Sequence, residues 1–174
     1  MSNKIVKLTT ASLLTATICA SSMLSVNIMG IQFSFALFGV FLSGLILSPL
    51  FAFTANAAYI LIGLVGIPVF ANFNGGLSAI FGASGGFIIS YPFVALTVSL
   101  LISKSDRIFY KQFIACLLSL VLCYFIGAVW YSFVYSCSIV QSLLICVLPF
   151  VIIDIIKIFL SCFVARILLK HIKK

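Results

Sequence analysis

The sequence predicts an all-α integral membrane protein: one bundle of six transmembrane helices over residues 1–174, with a glycine-rich outer loop between the third and the fourth. Three observations carry this expectation. Apolar residues make up 64% of the 174 and charged residues only 7%, where a water-soluble domain carries about 25% charged residues. The mean hydropathy is +1.39, and its apolar runs are continuous rather than alternating, which points to helices and away from a β-barrel. Charges are confined to a few places: residues 8–103 form 96 positions without one, and residues 112–153 another 42.

A spanning helix takes about 20 residues, so the first uncharged stretch holds about four spans with one sizeable loop, and residues 112–169 about two more. Basic residues fall at Lys4 and Lys7, at Lys104, Arg107 and Lys111, and at Arg166, Lys170, Lys173 and Lys174. With four and two spans between them, all three clusters lie on one side, and the positive-inside rule makes that side the cytoplasm. The expectation is a multi-pass protein of the cell (plasma or inner) membrane with both termini cytoplasmic. The net charge of +8 is then explained by topology and by contact with the anionic lipid bilayer, not by nucleic acid.

The first span covers residues 5–24. Lys4 and Lys7, an apolar run and Ala20-Ser21-Ser22 imitate a secretory signal. Its loss would break the even helix count that the charges require, so it is read as the first helix. Ile18 in front of Cys19 argues against a lipid anchor. Ser12, Ala16 and Ala20 form a stripe of small residues at four-residue spacing, which lets another helix approach closely, inside the bundle or from a partner. The second span covers residues 33–47 and stops before Pro49; the third covers 51–64.

Then the composition changes. Seven of the eleven glycines fall between Gly63 and Gly86, together with Pro68, Asn72 and Asn74. Glycine and proline punctuate helices, so this is the long non-helical segment. It is also apolar (Val69, Phe70, Phe73, Leu77, Ile80, Phe81), and is expected to fold back over the bundle as a lid or wall. The fourth span starts near Ser84-Gly85-Gly86, carries Pro92 as a kink and ends at Lys104. The fifth, residues 112–133, carries Tyr124, Trp130 and Tyr131; the sixth, residues 143–169, has Pro149 near its outer end. The six cysteines show no CxxC spacing and are read as apolar filler, with Cys137 and Cys146 near enough to the outer face to pair.

Asp154 and Lys157 stand out because they are charged inside an apolar span. Such a charge costs roughly 2.5–3.5 kcal/mol to insert, which makes it a functional-site hypothesis. At i, i+3 the two share a helix face and neutralise each other in part. The glycine-rich segment, the start of span four, the aromatic end of span five and residues 149–157 all fall at the outer end, which suggests an outward-facing small-molecule site. No GxxxxGK[ST] sequence is present for ATP, no His/Glu/Cys set has metal-ligand spacing, and the single histidine, His171, supports no catalytic triad. No cofactor and no catalytic residue is expected.

These residues also carry a resemblance. Gly63-Leu-Val-Gly-Ile-Pro-Val-Phe70, Gly75-Gly76, Gly82-Ala-Ser-Gly-Gly-Phe87, Gly127 with Trp130, and Pro149-Phe150 followed by Asp154 and Lys157 resemble the BioY family, from about Ser34 to Leu169. BioY proteins are the biotin-binding S components of energy-coupling factor (ECF) transporters. The resemblance implies a six-helix subunit that captures biotin from outside, while a membrane coupling (T) subunit and two ATPase subunits power its release inward. It also implies that the stripe of Ser12, Ala16 and Ala20 docks on the coupling subunit. The chain departs from the family where Ala83-Ser84 and Phe87 replace Pro-Thr and Tyr, where Ile152-Ile153 replace Pro-Gly, and where Phe35-Ala36-Leu37 replace Leu-Gln-Thr.

Biotin's ureido ring offers two N–H donors around one carbonyl. Asp154 can accept from the former and Lys157 can donate to the latter. Phe70, Phe73, Phe87, Trp130 and Phe150 can wall the apolar rings and chain, Gly75 and Gly76 shape the loop above them, and Asn72 or Asn74 can add a polar contact. For the biotin carboxylate two partners are open: Lys157, or the amides of Ser84, Gly85 and Gly86 at a helix start. Three other readings compete: an S component for a different vitamin, a small membrane enzyme acting on an amphiphile with Asp154 as base, and a scaffold in which the ion pair only locks a helix.

Overall fold

The computed structural model describes residues 2–28, 31–103 and 108–172. Lys104, Arg107, Lys173 and Lys174, which carry part of the topology argument, lie outside the described residues. The chain folds as α1 (Ser2–Met23), a hairpin of β1 (Ser25–Ile28) and β2 (Ile31–Ser34), α2 (Ala36–Ile46) and α3 (Pro49–Leu64). After these come a 3-10 turn (Ala71–Phe73), α4 (Leu77–Phe81), α5 (Gly85–Ser103), α6 (Phe109–Tyr135), α7 (Ile139–Cys146) and α8 (Val151–Ile172). Residues 4–23, α5 and α6 are each long and apolar enough to cross a membrane, and α7 with α8 makes a fourth such unit if that bent pair is one span; α2 and α3 are shorter apolar helices.

The architecture is a helical bundle around α2, which touches α1, α3, α5 and α8. Nine of its eleven residues are buried, as expected of a helix that is apolar all round. Its glycines allow the close packing: a Cβ at Gly39 would meet Ile18 of α1 at 2.9 Å, and one at Gly44 would meet the Ala95 carbonyl of α5 at 2.8 Å. Hydroxyl and amide groups tie the helices where no water reaches. Thr15 donates to Ala55 O (3.0 Å), Ser99 to Leu47 O (2.7 Å) and Asn56 to Ser43 Oγ (2.8 Å). The turn between α2 and α3 follows from Pro49 at the first helical position, which holds Ser48 extended at ψ 157°.

Four expectations are corrected. The last span is not one helix: α7 and α8 meet at 60°, with Pro149 in the intervening turn, because proline disfavours helical geometry in the residue before it. The second span starts later than residue 33, since Ile31–Ser34 pairs antiparallel with Ser25–Ile28; two four-residue runs separated by two residues is the spacing of a tight hairpin. All six cysteines are free thiols, so Cys137 and Cys146 are not bonded. The segment after α3 is not wholly non-helical either, as it contains the 3-10 turn and α4.

Candidate functional site: a buried ion pair under an aromatic cavity

Helix α8 has one buried stripe, Asp154, Lys157, Ile158, Ser161, Cys162 and Ala165, at the spacing of a single helix face. Its other side, including Ile152, Ile156, Phe159 and Phe163, is exposed. Asp154 lies in the first turn, its N–H donating to Phe150 O at 2.9 Å, where a carboxylate is favoured by the helix dipole. Ser161 Oγ lies 2.7 Å from Lys157 O and 3.1 Å from Phe38 O, clasping α8 to α2.

The two charged side chains are almost wholly enclosed, Asp154 at 2% and Lys157 at 1% exposure. Lys157 Nζ donates to Asp154 Oδ1 at 2.9 Å and to the Ser34 carbonyl at 2.7 Å. It also stands 5.3 Å from the centre of the Phe35 ring, within cation–π range. Tyr124 of α6 donates its phenol proton to Asp154 Oδ2 at 2.7 Å. The pair is thus hydrogen-bonded from three elements, the condition under which buried charges are tolerated.

This network forms the floor of a cavity. Its walls come from Ser34 at the end of β2, Leu37 at the start of α2, Tyr59 of α3, Ala71 of the 3-10 turn, Ser84, Phe87, Ile88 and Tyr91 around the start of α5, Tyr124, Cys146 at the end of α7 and Phe150 just before α8. Tyr59 and Tyr91 stack with ring centres 6.3 Å apart. Two glycines bring α5 and α6 together here. A Cβ at Gly127 would lie 2.3 Å from the Phe87 ring, and one at Gly86 would lie 2.2 Å from Trp130 Cβ.

Of the residues singled out in the sequence, Asp154, Lys157, Ser84, Phe87 and Phe150 line this cavity. The others shape what surrounds it. Phe70 is buried, edge-on to Tyr59 at 5.4 Å and seated over Gly63, where a Cβ would lie 2.1 Å from its ring. Trp130 donates its indole N–H to Gly82 O at 3.1 Å. Gly76 has φ +83°, its N–H reaching Gly63 O at 2.7 Å. A Cβ at Gly75 would strike Ile67 O at 2.6 Å, and one at Gly85 would overlap Ile80 O. Asn72, Phe73 and Asn74 have exposed side chains; the Asn72 N–H donates to Ser25 Oγ at 2.6 Å, and Asn74 O accepts from Phe70 N at 2.9 Å. On the outer face of α1, Ser12, Ala16 and Ala20 are exposed and line a separate shallow groove with Met23, Ala58 and Ile62. Among the described residues no group of three or more His, Cys, Asp or Glu could hold a metal.

The sequence did not single out Ser34, Leu37, Tyr59, Ala71, Ile88, Tyr91, Tyr124 and Cys146 as lining residues. Tyr59, Tyr91 and Tyr124 had a usable signal: each puts a hydroxyl inside an apolar helix, where polar groups seek partners.

The model of the BioY family matches residues 1–174. The chain is 32% identical over 146 residues to a probable biotin transporter BioY of Pyrococcus horikoshii, covering 84% of this chain and 85% of that protein. It is 30% identical over 155 residues to the biotin transporter BioY of Thermotoga maritima, covering 89% and 90%. A crystal structure at 2.1 Å of the S-component for biotin from an ECF-type ABC transporter superposes with a TM-score of 0.90 at 26% identity, covering 97% of this chain and 93% of that one. In sequence over its whole length, and in the course of its helices, the chain belongs to the BioY family.

Proposed function

We propose that the chain is the biotin-binding S component of an ECF-type vitamin uptake transporter, a membrane protein that captures biotin from the outer side. One observation carries the reading: in a chain of this family, a wholly buried Asp154–Lys157 pair forms the floor of an aromatic cavity. Asp154 supplies acceptors for the ureido N–H groups and Lys157 a donor for the ureido carbonyl. Phe87, Phe150, Tyr59 and Tyr91 enclose the apolar rings. The membrane-enzyme alternative is set aside, since the relatives are named transporters and both carboxylate oxygens of Asp154 already hold protein donors.

Six apolar segments, with α7 and α8 counted as one, support a six-span topology. An even count puts both termini on one side, and the basic residues make that side cytoplasmic. The cavity then opens outward beneath the glycine-rich segment. Import is powered by a coupling subunit and two ATPase subunits, and the exposed stripe of Ser12, Ala16 and Ala20 is the docking face for the coupling subunit. Titration calorimetry of the detergent-purified chain tests the reading: biotin binds the wild type and is lost in Asp154→Ala. A folded wild type with no heat of biotin binding refutes biotin as the ligand, and an Asp154→Ala protein with unchanged affinity refutes the site.

A further inference from the structure

We infer that Tyr124 is a positioning residue, setting which hydrogen-bonding pattern on the ligand the Asp154 carboxylate will accept. This rests on the biotin reading above and deepens it. Each carboxylate oxygen of Asp154 holds one protein donor: Lys157 on Oδ1 at 2.9 Å and Tyr124 on Oδ2 at 2.7 Å. The donors come from two helices, α8 and α6, so the carboxylate plane is fixed from both sides instead of turning about its last bond. Lys157 is itself anchored by the Ser34 carbonyl at 2.7 Å, which adds a third element to the chain of contacts.

The direction of donation has a consequence. Within an ion pair a carboxylate accepts only, so the Tyr124 proton is committed to it. A phenol otherwise serves as donor or acceptor; this one, which lines the cavity beside Asp154, turns only lone pairs to a ligand. The floor therefore presents adjacent acceptors, Asp154 and Tyr124, next to the donor Lys157. Asp154 beside Lys157 complements one N–H and the adjoining carbonyl of a cyclic urea. A ligand with a blocked nitrogen leaves a buried acceptor unpaired, the kind of mismatch that discriminates most strongly. One turn on, Gly127 admits the Phe87 ring that forms the neighbouring wall.

The test is a cycle between protein and ligand, by titration calorimetry on the full chain in detergent. Biotin, biotin methylated on a ureido nitrogen (each nitrogen in turn) and desthiobiotin, whose urea is intact, are titrated into wild type and Tyr124→Phe, with thermal unfolding as the folding control. The expected result is that Tyr124→Phe weakens biotin and desthiobiotin alike by about 10-fold or more. The penalty for methylating one of the nitrogens then shrinks several-fold. Equal weakening of every ligand, as a purely structural tyrosine would produce, overturns the inference, and so does unchanged binding. The wild type alone also decides: if methylating neither nitrogen costs it affinity, the inference is wrong whatever the variant does. A wild type that fails to bind biotin overturns the biotin reading and this inference with it, whereas biotin binding with unaltered analogue penalties overturns this inference alone.

Discussion

The outward side of α1 and the inner face of α8 both carry polar side chains, and they use them in opposite ways. On α1, Thr9, Thr10, Ser12 and Thr17 each donate to the carbonyl four residues earlier in the same helix, at 2.8–3.1 Å. On α8, Lys157 and Ser161 reach the backbone of Ser34 and Phe38, 123 residues away in each case. Hydroxyls satisfied within their own helix leave a smooth surface of small groups that asks nothing of its neighbours. Polar groups satisfied across the bundle fix one helix against another and must be in place together. The exposed hydroxyls of α1 thus tie it to no neighbour, whereas the inner face of α8 holds a constellation still.

The comparison breaks most visibly if one ion-pair partner is removed. Lys157→Ala leaves the Asp154 carboxylate buried with only Tyr124, and the expected loss is about 3–5 kcal/mol of stability, because an uncompensated charge stays in an apolar interior. Thermal unfolding in detergent measures it; a loss near zero would mean that water enters the floor freely. The double variant Asp154→Ala/Lys157→Ala should lose clearly less than the two single losses added, since the groups act as a unit.

A smaller effect is expected at the glycine seat of the cavity wall. Gly127→Ala puts a Cβ where the Phe87 ring now lies, 2.3 Å away, and overpacking of this kind costs about 1–3 kcal/mol. Because Phe87 lines the cavity, biotin affinity should fall in the same variant, and calorimetry that found stability reduced but affinity intact would detach that ring from the site. Smallest of all are changes on α1. Ala16→Leu adds bulk to an exposed position and should stay within about 0.5 kcal/mol of wild-type stability while keeping biotin binding. Uptake in cells containing the coupling and ATPase subunits should nevertheless be abolished. Normal uptake would remove the docking role from this face, and lost binding would show that α1 is as tightly woven as α8.

Part of the candidate cavity was legible beforehand, for particular reasons. Two charges three residues apart in an apolar span have few ways to be accommodated, so the Asp154–Lys157 contact could be read directly. Ser84, Phe87 and Phe150 flank the breaks where a cavity mouth must form. Phe70 and Trp130 were expected as ring walls, but neither lines the cavity: one packs on Gly63 and Tyr59, the other caps Gly82. The break between α7 and α8 was half visible in Pro149, although apolar composition runs through it without interruption.

What the amino-acid sequence determined by itself is the class and the charge economy: apolar runs too long for a soluble core, basic residues gathered in clusters between and beyond those runs, and one acid and one base locked together on a helix face. These follow from transfer free energies and helical spacing, which act locally along the chain. Only the tertiary structure decided that Tyr124 donates to Asp154, that Ser34 accepts from Lys157, and that Tyr59 and Tyr91 stack in the wall. Those contacts depend on how far each helix is rotated and how closely the glycines let it approach, and such rotations are settled by the packing of the whole bundle at once.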